Sequence, residues 1–96
     1  MKENEFQAQL IKDLKLIIPD GIVLKNDANY KQGIPDLLIL NGDRWAMLEC
    51  KVDDSSSFRP NQKWYLEKLD KMSFARVINK DNREEVLDEL LRSLKT

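Results

Sequence analysis

The chain has 96 residues, of which 42% are hydrophobic and 34% charged, and its formal net charge is −1. These values predict a single folded domain over residues 1–96 and exclude a disordered chain. The absence of histidine excludes imidazole bases and Ser-His-Asp triads, and a lone Cys50 excludes internal disulfides and thiolate metal clusters. The sequence shows neither a secretory signal nor an apolar run of membrane-spanning length, so we expect a cytoplasmic protein.

Hydrophobic periodicity and the positions of Gly and Pro predict seven elements. In chain order these are a helix over 3–18, strands over 22–24, 33–40 and 44–51, a helix over 60–71, a strand over 74–78, and a last helix capped by Asp81 or Asn82. The order α-β-β-β-α-β-α predicts an α/β fold in which helices flank a mixed sheet.

Three packing expectations accompany these elements. The run Leu37 to Leu40 is apolar at every position, which predicts a central strand covered on both faces. Trp64 is expected to pack in the core, with stacking on a nucleic-acid base as the alternative. The core stripe of the last helix is expected to contain Val86, Leu87, Leu90, Leu91 and Leu94.

Charged residues interrupt the two strands of the predicted hairpin. Alternation of strand side chains puts Glu49 and Lys51 on one face and turns Cys50 towards the core. Counting outward from a three-residue turn at Asn41-Gly42-Asp43 places Asp36 one position away from Glu49, and a bulge or a slightly different turn would absorb that shift. We therefore expect Asp36 to lie near Glu49 and Lys51.

Two neighbouring carboxylates repel each other, and removing them from water costs free energy unless a cation compensates. Lys51 supplies one positive charge, and a divalent metal could supply the rest. Oxygen ligands with open water positions suit magnesium or manganese, and such a site serves phosphodiester hydrolysis. The alternative is structural: Asp36 as a turn residue, and Glu49 with Lys51 as a surface ion pair.

The spacing also carries a family resemblance. Pro35-Asp36, twelve residues, and then Glu49-Cys50-Lys51 resemble the PD-(D/E)XK nuclease motif. A longer pattern resembles the VRR-NUC branch, the virus-type replication and repair nucleases, across nearly the whole chain. Its matching residues are Glu3, Phe6, Gln7, Leu10, Ile11 and Leu14, then Gly33-Ile34-Pro35-Asp36-Leu37, Leu48-Glu49-Cys50-Lys51, Asn61-Gln62-Lys63-Trp64 and Leu69.

The resemblance implies a restriction-endonuclease-like core and a role for each matching site residue. Asp36 and Glu49 would bind Mg²⁺, or Mn²⁺ in its place, together with the backbone carbonyl of Cys50. Lys51 would serve the attacking water, and Gln62 would line the site or touch the DNA backbone. Glu3 would be the site residue of the first helix; Glu5 competes for that role, and complementarity to the helix N-terminus is the alternative for both.

The resemblance further implies a structure-selective DNA endonuclease that acts as a homodimer on Holliday junctions or other branched DNA, in a phage or bacterial host cytoplasm. Two alternatives remain: a homing or restriction-type enzyme that recognises a sequence, and a non-catalytic nucleic-acid-binding module with the same fold. Candidate residues for the dimer interface are Ile17, Ile18, Tyr65 and the last helix.

Overall fold

The computed structural model of the protein describes residues 2–95. It has the predicted α/β class and the predicted element order. The elements are α1 (Glu3–Ile17), β1 (Ile22–Lys25), β2 (Leu37–Asn41), β3 (Arg44–Cys50), α2 (Gln62–Met72), β4 (Ala75–Ile78) and α3 (Arg83–Ser93).

The four strands form one mixed sheet in the order β1-β2-β3-β4. The pairs β1/β2 and β2/β3 are antiparallel, whereas β3 and β4 run parallel. A parallel pair needs a crossover connection, and α2 with its flanking loops supplies it. The predicted mixed sheet is therefore confirmed.

Helices α1 and α3 pack against one face of the sheet and form the main core. Their buried apolar residues meet the inward-facing residues of β2 and β3, among them Leu37 and Leu48, which are fully buried. The core residues are Phe6, Leu10, Leu14, Ile18, Leu37, Ile39, Ala46, Leu48, Cys50, Phe74, Ile78, Val86, Leu87, Leu90 and Leu94. Ile18, one of the candidate interface residues, is thus part of this core.

The opposite sheet face is covered only in part, because the main contact of α2 with the sheet is with β4. The strand registers bring six apolar residues together on the rest of this face, which we call the apolar sheet face: Ile22, Leu24, Leu38, Leu40, Trp45 and Met47. Its β1 members, Ile22 and Leu24, are exposed, and the other four are half-buried. The expectation that Leu37 to Leu40 is covered on both faces is therefore wrong for Leu38 and Leu40.

Two element starts differ from the predictions by two residues or more. Strand β2 begins at Leu37 rather than at 33, because Gly33 has a φ of 92° and lies in a turn. Helix α2 begins at Gln62 rather than at Pro60, because Asn61 has a left-handed φ of 69° that a helix cannot contain. Asn82 occupies the N-cap position of α3, but its side chain bonds to Asn79 and to the carbonyl of Val77 rather than capping the helix.

Two residues expected in the core lie at the surface. Trp64 is 58% exposed, since the buried residues of α2 are Gln62 and Leu69, and these define the face towards the sheet. Leu91 is 38% exposed and lines a groove with Ile17 between the ends of α1 and α3. Both core assignments were wrong, because the apolar stripe of each helix is narrower than its sequence pattern indicates.

Candidate active site

The hairpin turn brings Asp36 level with Glu49. Asn41 pairs with Arg44, so the turn has two residues, Gly42 and Asp43, instead of three. Each partner therefore shifts by one position, and Asp36 lies beside the end of β3. Its Oδ2 accepts a hydrogen bond of 2.9 Å from the backbone N–H of Cys50.

The backbone around Asp36 is fixed from its other side by Asn26. The N–H of Asn26 donates to the carbonyl of Asp36 at 2.8 Å. Its side-chain amide donates to the carbonyl of Pro35 at 2.9 Å. The carboxylate of Asp36 is thus held by the N–H of Cys50 and the backbone that carries it by Asn26, which restricts its position before any ligand binds.

Gln62, at the start of α2, links Glu49 to Lys51. Its Nε2 donates to Glu49 Oε2 at 2.8 Å, and its Oε1 accepts from Lys51 Nζ at 3.0 Å. Lys51 Nζ also lies 3.5 Å from Glu49 Oε2. All three residues are buried, with Glu49 2% exposed and Lys51 and Gln62 5% exposed. Gln62 therefore lies beside Glu49 and Lys51, and its contact with DNA stays a prediction.

The loop between β3 and α2 closes over this group. Its Ser57 carbonyl accepts from Lys51 Nζ at 3.1 Å, and its Arg59 N–H donates to Gln62 Oε1 at 2.7 Å. Between them, the ring centroid of Phe58 lies 5.6 Å from Lys51 Nζ. These contributions of the loop were not predicted from the sequence. The feature that could have indicated them is Phe58, a single aromatic residue among polar ones.

The electrostatics of the site favour an additional positive charge. Burial, and secondarily the charge of Asp36, raise the pKa of Glu49 to about 7 although Lys51 lowers it. Among the described residues, Oε1 of Glu49 is a buried side-chain oxygen without a hydrogen-bond partner. An unsatisfied buried oxygen is costly, and a cation bound to it would remove that cost.

Cys50 contributes its backbone N–H to the site, whereas its sulfur points away from it. Its side chain is fully buried on the opposite face of the sheet, as predicted. Burial raises the pKa of the thiol far above its ordinary value, and the charges of Asp36 and Glu49 raise it further. The thiolate form needed for nucleophilic attack or metal binding is therefore disfavoured.

The two candidate glutamates of α1 differ in their surroundings. Glu3 is half-buried, and its charge contributes to raising the pKa values of Glu49 and Cys50, so it lies near the site. Glu5 is exposed. This contrast favours Glu3 over Glu5 as the residue of the first helix that belongs to the site, whereas its catalytic role stays a prediction.

Comparison of the chain with protein-family models, curated proteins and solved structures finds no match in any of the three. Within residues 2–95, no group of three or more His, Cys, Asp or Glu side chains is arranged to hold a metal ion. A helix long and apolar enough to cross a membrane is also missing from this range. Arguments about function therefore depend on the geometry of the site and on its motif.

Proposed function

We propose that the protein is a metal-dependent DNA endonuclease with a restriction-endonuclease-like core, of the PD-(D/E)XK type that its sequence resembles. The observation that carries this proposal is the buried cluster of Glu49, Lys51 and Gln62 beside Asp36, in which Glu49 Oε1 has no partner among the described residues. A structural ion pair would not need a second, repelling carboxylate at the same strand ends.

The residues present fit a magnesium or manganese ion. Asp36 and Glu49 would hold it with their carboxylates and Cys50 with its backbone carbonyl, a set of hard oxygen donors that leaves other positions to water. Two acidic side chains with water are typical of Mg²⁺, so the site does not need a third acidic ligand. When bound, the ion would lower the pKa of a bound water and offset the negative charge of a phosphate.

The chain's own residues would orient the reactants. Gln62 keeps Glu49 Oε2 and Lys51 Nζ at fixed positions, and within residues 2–95 Glu49 Oε1 has no hydrogen-bond partner. The ammonium group of Lys51 would hold the attacking water and stabilise charge that develops on the phosphate oxygens. Because these groups are buried and hydrogen-bonded before substrate arrives, little reorganisation is needed during the reaction.

The proposed substrate is branched DNA, cut by a homodimer in a phage or bacterial host cytoplasm. One such site cuts one strand, so symmetric cuts across a junction need two sites related by a two-fold axis. The apolar sheet face supports a dimer, since Ile22 and Leu24 are 55% and 46% exposed and contiguous exposed apolar patches mark interaction surfaces. Asp36, Glu49 and Lys51 lie on the same face, so a second copy docked there would bring two sites towards one interface.

A substrate panel tests the proposal. The protein is incubated with four-way junction, flap, duplex and single-stranded DNA in Mg²⁺, Mn²⁺ or EDTA, and the products are resolved on denaturing gels. We expect cleavage of branched DNA in either metal and none in EDTA. Cleavage restricted to one duplex sequence would indicate the restriction-type alternative. Binding without cleavage in every metal would indicate a non-catalytic module and reject the proposal.

A further inference from the structure

Phe58 is the aromatic residue of the loop that closes over the candidate site, and it is 48% exposed. The residues on either side of it are bonded to the site. Ser57 accepts from Lys51 Nζ at 3.1 Å, and the Arg59 N–H donates to Gln62 Oε1 at 2.7 Å. The position of the ring is therefore set by the site residues themselves.

The position of the Phe58 ring is not explained by a need to supply Lys51 with partners or to bury it. Two of the three hydrogens of the ammonium group are donated to the Ser57 carbonyl and to Gln62 Oε1, and Glu49 Oε2 lies 3.5 Å away, so the charge is held without the ring. Phe58 lies within cation–π range, its centroid 5.6 Å from Lys51 Nζ. About half of its surface nevertheless stays in water, where an apolar ring gains no free energy from burial.

A nucleic-acid strand at this site would bring a base close to the ring. The Phe58 centroid lies 5.6 Å from Lys51 Nζ, so a phosphate bound beside Lys51 would have its own nucleotide next to the ring. A base stacked on an aromatic side chain strengthens binding by roughly 10- to 100-fold, whatever its identity. A base paired within a duplex is already stacked on its neighbours and cannot reach such a ring without leaving the helix.

We propose that Phe58 stacks on an unpaired base next to the scissile phosphate, so that the preferred substrate is DNA with an unpaired nucleotide at the cut. This inference deepens the proposed nuclease function and rests on it. It gives a physical origin for structure selectivity: flaps and single strands supply such a nucleotide, and a branch point interrupts the base stacking that a continuous duplex maintains. The ring would be a specificity-determining contact, separate from the groups that carry out hydrolysis.

The test combines a change in the protein with a change in the DNA. Once the cut is mapped, single-turnover cleavage is measured on the preferred substrate and on a copy with an abasic site beside the cut. We expect the wild type to lose about tenfold or more on the abasic copy, Phe58→Ala to cut both equally slowly, and Phe58→Trp to keep the discrimination. Phe58→Leu, which keeps an apolar cover over Lys51 but no aromatic face, should behave like Phe58→Ala.

Other outcomes would overturn the inference. If the wild type cuts both substrates equally, no base stacks at the cut. If Phe58→Ala cuts both substrates more slowly by the same factor, it keeps the wild-type preference for the intact substrate. The ring then only covers Lys51. Tyr30→Ala is the matched control: it removes a ring that is 87% exposed from the loop between β1 and β2, and it should keep the wild-type preference.

A binding measurement separates this inference from the proposed activity. Quenching of 2-aminopurine in single-stranded DNA reports stacking in EDTA, without cleavage. Quenching by the wild type that is lost in Phe58→Ala would support the stacking role. If no DNA were cut in the cleavage assays, only the proposed nuclease activity would be rejected. Equal quenching by both proteins would reject the stacking role even if cleavage were observed.

Discussion

Gln62 connects the helix to the sheet at the candidate site. From the sequence, it was predicted to line the site or to touch the DNA backbone. In the structure it bonds to both Glu49 and Lys51 and is 5% exposed. A motif match identifies which residues meet at a site, whereas the partner of each amide atom depends on the start of α2, which the sequence placed two residues too early.

Replacing Gln62 should lower stability because Glu49 and Lys51, two buried charged groups, each lose a hydrogen bond. We expect Gln62→Leu to reduce the free energy of unfolding by about 2–3 kcal/mol, measured by urea denaturation. Gln9→Leu is the control, since its side chain makes an exposed hydrogen bond to Asp13 on α1; its effect should stay within about 0.5 kcal/mol. Equal effects of the two substitutions would show that the buried hydrogen bonds of Gln62 contribute little.

Glu49 should make stability depend on pH and on metal. Its pKa is raised from 4.5 to about 7 in the folded protein, mainly by burial. The protonated form is favoured by folding, so this contribution is fully present below pH 4.5 and is lost as the pH rises through about 7. Without metal, the free energy of unfolding should therefore fall over this range, by up to roughly 3 kcal/mol.

Thermal or urea unfolding in EDTA and in Mg²⁺ measures both effects. Mg²⁺ should stabilise the protein at pH 8 more than at pH 5, because it competes with the proton for Glu49. Glu49→Gln should remove this part of the pH dependence and most of the magnesium effect. A flat wild-type profile between pH 5 and pH 8, unaffected by Mg²⁺, would contradict both the perturbed carboxyl and the metal site.

At the scale of elements, the hairpin shows what the sequence could predict and where it could not. The two strands, the alternation of their faces and a tight turn between them followed from residue patterns. The register did not, because the same sequence allows a turn of two residues or of three. The two turns differ by one position in the residue that lies opposite Asp36. In the observed register Asn41 pairs with Arg44, and Asp36 accepts a hydrogen bond from the N–H of Cys50.

Two loops meet beside the site through positive-φ residues. A Cβ at Gly33, whose φ is 92°, would lie 2.7 Å from Asn61 Cβ and 2.9 Å from the Pro60 carbonyl oxygen. Contacts this short with backbone cannot be relieved by rotating a side chain. The loop before β2 and the turn before α2 can therefore approach each other only if residue 33 is glycine.

Gly33→Ala should be markedly destabilising, by about 2–4 kcal/mol in urea denaturation, because strain at positive φ adds to a steric clash. Gly42→Ala is the matched control: Gly42 also has a positive φ, 63°, but lies in the exposed hairpin turn. Its cost should be about 1 kcal/mol, from the backbone conformation alone. Similar losses in both variants would show that the two loops separate at low cost.

At the scale of the whole molecule, the sheet has one well-covered face and one partly open face. The sequence predicted helices on both faces but not their coverage, because periodicity identifies the apolar side of each strand without showing how far a helix extends over it. Since α2 packs mainly on β4, the open part lies over the other three strands. Such a surface is consistent with the proposed dimer.

The dimer can be tested by sedimentation. We expect the wild type to sediment as a dimer, and Leu24→Glu, which places a charge on the apolar sheet face, to sediment as a monomer with unchanged unfolding. Leu16→Glu is the control, since Leu16 is 81% exposed on α1 and lies outside this face. A wild type that is monomeric both free and bound to a junction would reject the dimer. Dissociation caused by Leu16→Glu but not by Leu24→Glu would show that the interface lies outside the apolar sheet face.

The proposed hydrolytic site is tested most directly by the single-turnover rate at which Lys51→Met cleaves branched DNA in Mg²⁺. This change keeps much of the side-chain volume and removes the ammonium group beside Glu49, so we expect a rate at least about 100-fold lower in a protein that remains folded. Lys71→Met, at the exposed last turn of α2, should stay within about threefold of the wild type. Cleavage by folded Lys51→Met at the wild-type rate would contradict the assignment of this cluster as the hydrolytic site.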